Sequence, residues 1–345
     1  MLDIPGLYGP RRPLPLTVRP VPGESTGSFV NRLAHANGLS LADFLDRVGQ
    51  GKASADPSQV DKYPGYTEMY VNESGLCYLA VLADRPPDLQ QRALPSLSAV
   101  RLLPDEQEAV WRWPWEPLAG HIVRCCPLCA HARRISEAVW LASPDTWQVC
   151  LRHGYWSDDA RGRGPDFVRL AKLPETMTAH RVRHQLAARL GSAGEELFAD
   201  AFQVSVHWWT RMPDTARWVQ RAWTAGLGAQ EMRAAPLVIY PEAAELACSM
   251  RDFERAGQRD TAGRSRWLEG MERLMGRWGV DLVEGRQALL VWLERHRAAV
   301  PAPSRPAGRR RLVLALGHNR IADRTGPIDQ RSCLPWQLGM TASEM

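Results

Sequence analysis

The sequence is short of lysine, of long apolar runs and of every familiar phosphate-binding signature. Each shortage narrows what the chain can be. Lys52, Lys62 and Lys172 are its lysines, so all but three of its 43 basic residues are arginine. A GC-rich coding sequence accounts for that bias. The functional alternative is that arginine's planar fork suits phosphate. No apolar run approaches the ~20 residues needed to span a bilayer. The start, MLDIPGLYGPRRPLPL, has Arg11 and Arg12 but no apolar block of signal-peptide type. We therefore expect a cytoplasmic protein, whose thiols stay reduced. Seven cysteines, an odd number, also argue against a disulfide framework.

The signatures of catalysis are missing as well. Neither G-x-x-x-x-G-K-[ST] nor G-x-G-x-x-G occurs. RGRGPD at 161–166 supplies glycines without the strand before or the helix after. There is no G-x-S-x-G elbow and no H-E-x-x-H. The pairs Asp158–Asp159 and Glu195–Glu196 stand in polar settings, and nothing marks an acidic triad for two-metal chemistry. The chain reads as a non-enzyme. It has no internal repeat and no heptads.

What is present is ordinary globular material: 345 residues, 45% hydrophobic and 23% charged. That length suggests two or three domains, each with its own core. A net charge of +5 permits nucleic-acid binding without demanding it.

The pattern along the chain is mainly helical. Residues 1–23 are rich in proline and aperiodic, an extended arm. Ser25 or Ser28 can cap a helix, with Phe29, Val30, Leu33, Ala34 and Ala36 at helical spacing. NGLS (37–40) breaks it, and LADFLDRVG (41–49) begins another. Ala34, Gly38 and Phe44 fit a helix-turn-helix: a small contact residue, a left-handed turn and an aromatic plug. Residues 50–66 read as a polar linker, 73–83 and 86–94 as two short helices, the second opened by proline. WRWPWEPL (111–118) reads as a tryptophan-rich loop packing against the cysteine region that follows. Further helices are expected at 180–191, 240–257, 265–279 and 283–300. Pro241 and Glu242 fall in the first turn of the second of these. In the third, Trp267, Leu268, Met271, Leu274, Met275 and Trp278 form one stripe, with Arg266, Arg273 and Arg277 elsewhere. Residues 301–311 form a Pro/Gly/Arg linker, and the last 28 are irregular, with Cys333 alone.

The richest stretch is CCPLCAHARRISEAVWLASPDTWQVCLRHG (125–154). Cys126-x-x-Cys129 is followed, after 20 residues, by Cys150-x-x-His153. Three thiolates and an imidazole complete a tetrahedron around zinc with no open position, which is the arrangement of a structural site. Between the knuckles, AVWLA and TWQV flank SPD, so a β-hairpin is expected to carry the second one. The tight Cys-x-x-Cys loop favours Cys126 over its neighbour Cys125, which is left to packing. His121 and His131 are spare donors nearby. Cys77 and Cys248 lie in apolar helical patterns and read as core. Such a knot organises roughly 40 residues that have too little core of their own, because metal binding is coupled to folding. About one zinc per chain is expected.

Three segments together resemble the TniQ family. PLPLTVRPVPGESTGSFVNRLAHANGLSLADFL is similar to its start, with Arg-Pro, Pro-Gly-Glu-Ser and a helix ending Ala-Asn-Gly. CPLC…VWLASPDTWQVCLRHG is similar to its zinc segment, and APLVIYPEAAELA to a later Tyr-Pro-Glu-Ala segment. LAVLADRPPDLQQRALP fits the helical pair between the first two. The resemblance covers about 13–155, is patchy over 230–250 and fades beyond 300. It implies a non-catalytic target-selection factor of transposons, related to TnsD, that bridges target DNA or an RNA-guided complex to an AAA+ ATPase regulator. It also carries zinc over to Cys126, Cys129, Cys150 and His153.

The residues qualify that expectation. Outward on the 41–49 helix stand Asp43 and Asp46, with Arg47 alone positive. Carboxylates facing phosphate are unfavourable, so this helix pair reads as a protein-docking surface rather than a base reader. The arginines placed for phosphate are Arg133 and Arg134 beside the knuckle, Arg152 within it, and Arg309, Arg310 and Arg311. The expected organisation is an N-terminal helical domain with the helix-turn-helix (1–110), a zinc-binding module (111–158), a C-terminal helical domain (159–300) and a basic tail (301–345). Two other readings are a stand-alone zinc-containing DNA-binding transcriptional regulator and a metal-dependent nuclease. Whether two copies pair as a homodimer stays open, and no membrane partner is expected.

Overall fold

Thr26–Ala36 forms α1 because Ser25 turns its hydroxyl back to accept the Ser28 N–H. That satisfies one of the four amides that every helix start leaves unpaired. Phe29, Val30, Leu33 and Ala34 share the buried side. Gly38 then takes φ +66°, and Ser40 caps α2, Leu41–Val48, by accepting the Asp43 N–H. Phe44 closes the pair from below at 0% exposure. The small residue, the left-handed turn and the plug are therefore where the spacing placed them.

These coordinates come from a computed structural model, which describes residues 9–54, 67–104, 108–159, 165–257, 260–296 and 327–338. The described residues divide into two compact units. The first comprises 9–54, 67–104, 108–148 and 157–159; the second comprises 149–156, 165–257, 260–296 and 327–338.

The expected linker departs from expectation at its start. Gln50–Ala53 is a strand, β1, paired in parallel with β3, Val110–Trp113, while β2, Tyr70–Val71, pairs antiparallel on the other side of β3. The remainder of that stretch, 55–66, lies outside the described residues. The tryptophan loop is corrected by the same sheet. Trp111 and Trp113 join Phe29, Leu33, Phe44 and Leu79 in the N-terminal core rather than packing on the cysteines. A four-residue strand stopped by Pro114 is too short to show an alternation, and only its partners reveal it. Gly27 belongs to the same packing, since a Cβ there would come within 2.2 Å of the Thr67 carbonyl oxygen. Asn72 caps α3, Glu73–Leu82, by accepting the Gly75 N–H. α4, Pro87–Ala93, opens on proline, where the missing N–H costs nothing.

The cysteine-bearing stretch follows. β4, His121–Arg124, pairs antiparallel with β5, Trp140–Ser143. Between them lies α5, Pro127–His131. β6 (Trp147–Cys150), β7 (Tyr155–Asp158) and β8 (Phe167–Arg169) form a separate three-stranded sheet in that order. The hairpin expected around SPD is thus displaced. β5 is already engaged by β4 and by a bridge from Glu24 to Leu141, so the hairpin forms one turn later, between β6 and β7.

The second unit is helical: α6 Pro174–Leu190, α7 Ser192–Arg211, α8 Ala216–Ala225, α9 Ala235–Ala256, α10 Thr261–Trp278, α11 Leu282–Arg295 and α12 Ile328–Arg331. α7 is buried nearly all round and packs against α6, α9, α11 and α12, as a central helix must. On α10 the stripe is as expected, with Leu268, Met271, Met275 and Trp278 buried and Arg266, Arg273 and Arg277 exposed. α9 corrects the expected helix start: it begins at Ala235, so Pro241 lies inside it. An internal proline removes a helix hydrogen bond and presses on the preceding turn. Beside that break the Arg221 guanidinium donates to the Val238 carbonyl at 2.6 Å. The last residues are not wholly irregular either. After α12, Leu334 and Trp336 are buried, with Trp336 4.4 Å from the His207 ring. Among the described residues no helix is long and apolar enough to cross a membrane.

Candidate metal centre

The Pro-Gly-Glu-Ser stretch does more than start α1. Glu24, 0% exposed, receives Arg32 as a two-pronged ion pair, Nε to Oε1 at 2.9 Å and Nη2 to Oε2 at 2.8 Å. The Ser28 hydroxyl also donates to Glu24 Oε1, and the Trp140 N–H donates to that same hydroxyl. The Ser25 N–H donates to the Trp140 carbonyl at 2.9 Å. The start of α1 is thereby sewn to β5, which leads from the first cysteine knuckle toward the second.

The first knuckle is a local turn. Cys126 precedes α5, and its carbonyl accepts the N–H groups of Cys129 at 3.0 Å and Ala130 at 3.1 Å. Pro127 in the first turn fixes φ and has no amide to leave unpaired. The second knuckle is the tip of the β6–β7 hairpin. The Gly154 N–H donates to the Cys150 carbonyl at 2.8 Å, and Gly154 takes φ +64°, a conformation glycine adopts without strain. The Arg124 carbonyl, just ahead of the first knuckle, accepts from the Gln148 amide at 2.6 Å and the Ser157 hydroxyl at 2.7 Å.

One ligand atom each from Cys126, Cys129, Cys150 and His153 lies within 4.8 Å of all the others. Cys150 Sγ and His153 Nδ1 are 3.6 Å apart. Zinc–sulfur and zinc–nitrogen bonds of about 2.3 and 2.0 Å at the tetrahedral angle put such a pair about 3.5 Å apart. The donor set, three sulfurs and one nitrogen, thus fits a tetrahedral ion in both chemistry and spacing. Cys125 falls outside the group. It is buried with Val21, Ala130 and Val139, which is the packing role expected of it. His121 in β4 and His131 at the end of α5 are not members of the group either.

The other expected residues are placed as follows. Arg133, Arg134 and Arg152 are exposed. Arg133 Nη1 donates to the Cys129 carbonyl at 3.1 Å, and Arg134 takes φ +61°. Arg309, Arg310 and Arg311 lie outside the described residues. Asp43, Asp46 and Arg47 are exposed on α2. Asp43 there accepts the capping Ser40 hydroxyl at 2.6 Å, and Arg47 donates to the Asp43 carbonyl. Cys77 is not core: it is exposed, because α3 turns Leu76, Leu79 and Ala80 inward instead. Cys248 is half-buried, and burial pushes its thiol up.

Cys333 is not alone, which the sequence reading missed. One ligand atom each from Asp200, His296 and Cys333 forms a second close group within 4.8 Å. Asp200 Oδ2 faces Trp292 Nε1 at 3.0 Å, His296 Nδ1 at 3.1 Å and Cys333 Sγ at 3.3 Å. Its other oxygen accepts the Ser332 hydroxyl at 2.7 Å and the Cys333 N–H at 2.8 Å. His296 Nε2 meets the Glu254 carboxylate. Burial would pull the His296 imidazolium down. Its hydrogen bonds to Asp200, Cys333 and Glu254, with the Glu254 charge, overcome that and hold it up at about 11. No spacing signal announces this group, because its members are 96 and 37 residues apart.

The TniQ family model matches residues 15–156, a span that ends just past His153 and includes all four members of the first group. No curated protein and no solved structure matches the chain.

Proposed function

From the match of residues 15–156 to the TniQ family model we propose that the chain is a non-catalytic, zinc-containing adaptor in DNA transposition. It couples recognition of a target, either DNA or a nucleoprotein complex, to an AAA+ regulator. The supporting observation is that the family span contains Cys126, Cys129, Cys150 and His153 converged within 4.8 Å. Zinc, held by these four side chains, supplies no open coordination position and so a structural role.

Within this reading α2 offers Asp43, Asp46 and Arg47 to a protein partner, because two carboxylates oppose a phosphate backbone. Arg133, Arg134 and Arg152, exposed around the knuckles, are the cations offered to DNA. The test is copurification of the full chain with an AAA+ transposition ATPase, together with binding to target DNA at several salt concentrations. We expect ATPase capture, and DNA affinity that falls steeply as salt rises. A chain that captures no ATPase and binds no DNA overturns the proposal.

A further inference from the structure

We propose that Asp200, His296 and Cys333 form a second metal site, binding one divalent ion of the zinc class through Asp200 Oδ2, His296 Nδ1 and Cys333 Sγ. The mixture of carboxylate, imidazole and thiolate is a ligand set that zinc and cobalt accept and that magnesium and calcium avoid.

The spacing agrees. Zinc bonds of about 2.0 to 2.3 Å at the tetrahedral angle separate ligand atoms by about 3.3–3.6 Å. Oδ2 and Nδ1 are 3.1 Å apart, and Oδ2 and Sγ are 3.3 Å apart. These two separations lie within a few tenths of an ångström of that range, and the third pair, Nδ1 and Sγ, lies within 4.8 Å.

The surroundings are those of a ligand set already held in place. A metal-bound histidine usually gives its other ring N–H to a carboxylate, and His296 Nε2 faces Glu254, whose side chain is 1% exposed. Asp200 Oδ1 is fixed by the Ser332 hydroxyl and the Cys333 N–H, and Trp292 Nε1 orients Oδ2. His296 itself is held at the end of α11, its backbone N–H donating to the Trp292 carbonyl at 2.8 Å. On binding, the Cys333 thiol and His296 Nδ1 lose their protons to solvent, while the Nε2 proton stays on the Glu254 hydrogen bond. The ion has a way in: Cys333 is exposed, and His296 and Glu254 line a small surface cleft with Arg264. Three protein ligands leave the fourth position to water. The ion joins three segments, α7, the end of α11 and the stretch after α12, so it staples residues 327–338 onto the helical unit.

The experiment is zinc titration of the purified full chain by equilibrium dialysis, with the wild type, Cys333→Ser and Cys129→Ser side by side. We expect two ions per wild-type chain and one per Cys333→Ser chain, with the far-ultraviolet dichroism of that variant unchanged. Cobalt in the Cys333→Ser protein should lose the charge-transfer band of a single-thiolate site and keep that of the three-thiolate one. Saturation of the wild type at one ion, or two ions still bound after Cys333→Ser, overturns the proposal. Cys129→Ser keeps the two sites apart: its loss of an ion reports on Cys126, Cys129, Cys150 and His153, and leaves the Cys333 result standing.

Discussion

The two cysteine–histidine groups of this protein are built in opposite ways. The first draws its members from residues 126–153, and two hydrogen-bonded turns set their positions: Cys126 to Cys129 at the start of α5, and Cys150 to Gly154 at a hairpin tip. The second draws Asp200 from the middle of a buried helix, His296 from the end of another and Cys333 from near the end of the chain. Local turn geometry can place two ligands before the rest of the protein has folded. Long-range packing places ligands only after it has. The first group is therefore expected to depend on its ion for structure, and the second to stand on hydrogen bonds that already exist.

The sharpest way to break this contrast is Cys150→Ser. A structural zinc contributes on the order of 10 kcal/mol of folding free energy. We expect that variant to lose its ion and become protease-sensitive between residues 110 and 158, measured by limited proteolysis and zinc content. A variant that keeps the wild-type digestion pattern would make the first group as self-supporting as the second.

A smaller effect is expected at Asp200→Ala. It strips partners from Trp292, His296, Ser332 and Cys333 at once and leaves Glu254 and His296 in a buried site. Removing one member of such a buried charged network costs roughly 3–5 kcal/mol. Denaturant titration of the metal-free protein should show this loss. A change below about 1 kcal/mol would mean that hydrogen bonds do not hold the second group.

The smallest effect sharpens the contrast between buried carboxylates. Asp200 faces an imidazolium, and its hydrogen bonds to His296, Ser332 and Cys333 overcome burial and hold it below its ordinary value. Glu68, in the first unit, accepts the N–H groups of Thr26 and Met69, yet burial pushes it up from 4.5 to about 7. The folded state therefore holds this proton more tightly than the unfolded chain. The contribution is fully present below pH 4.5 and is lost as pH rises through 7, up to about 3 kcal/mol. Glu68→Gln should flatten that loss in denaturation curves taken at pH 5 and pH 8. An unchanged slope would place the titration elsewhere.

Much of the local structure was legible in the residue order. Ser25 announced its helix and Gly38 its turn, because capping and tight turns are chemistry between near neighbours. The four residues of the first group were legible for the same reason. Legibility failed where long-range partners decided the outcome. β1 and β3 exist because each pairs with the other across some 60 residues. The SPD turn did not join its flanking strands because Glu24 and β4 had already taken β5. Pro241 reads as a helix start, yet the turn before it is held by Arg221, which pairs with Glu242 Oε1 at 2.9 Å and reaches the Val238 carbonyl.

By itself the sequence determined the first helix with its serine cap, the turn at Gly38, the two knuckles and the match of residues 15–156 to the TniQ family model. Each of these rests on interactions spanning a few residues, whose geometry the spacing carries directly. The tertiary structure alone decided that Glu24 and Arg32 would tie the first helix to the strand beside the cysteines. It alone gathered Asp200, His296 and Cys333. A buried carboxylate must find its donors wherever the packed chain offers them, and no periodicity in the sequence records which distant residues those will be.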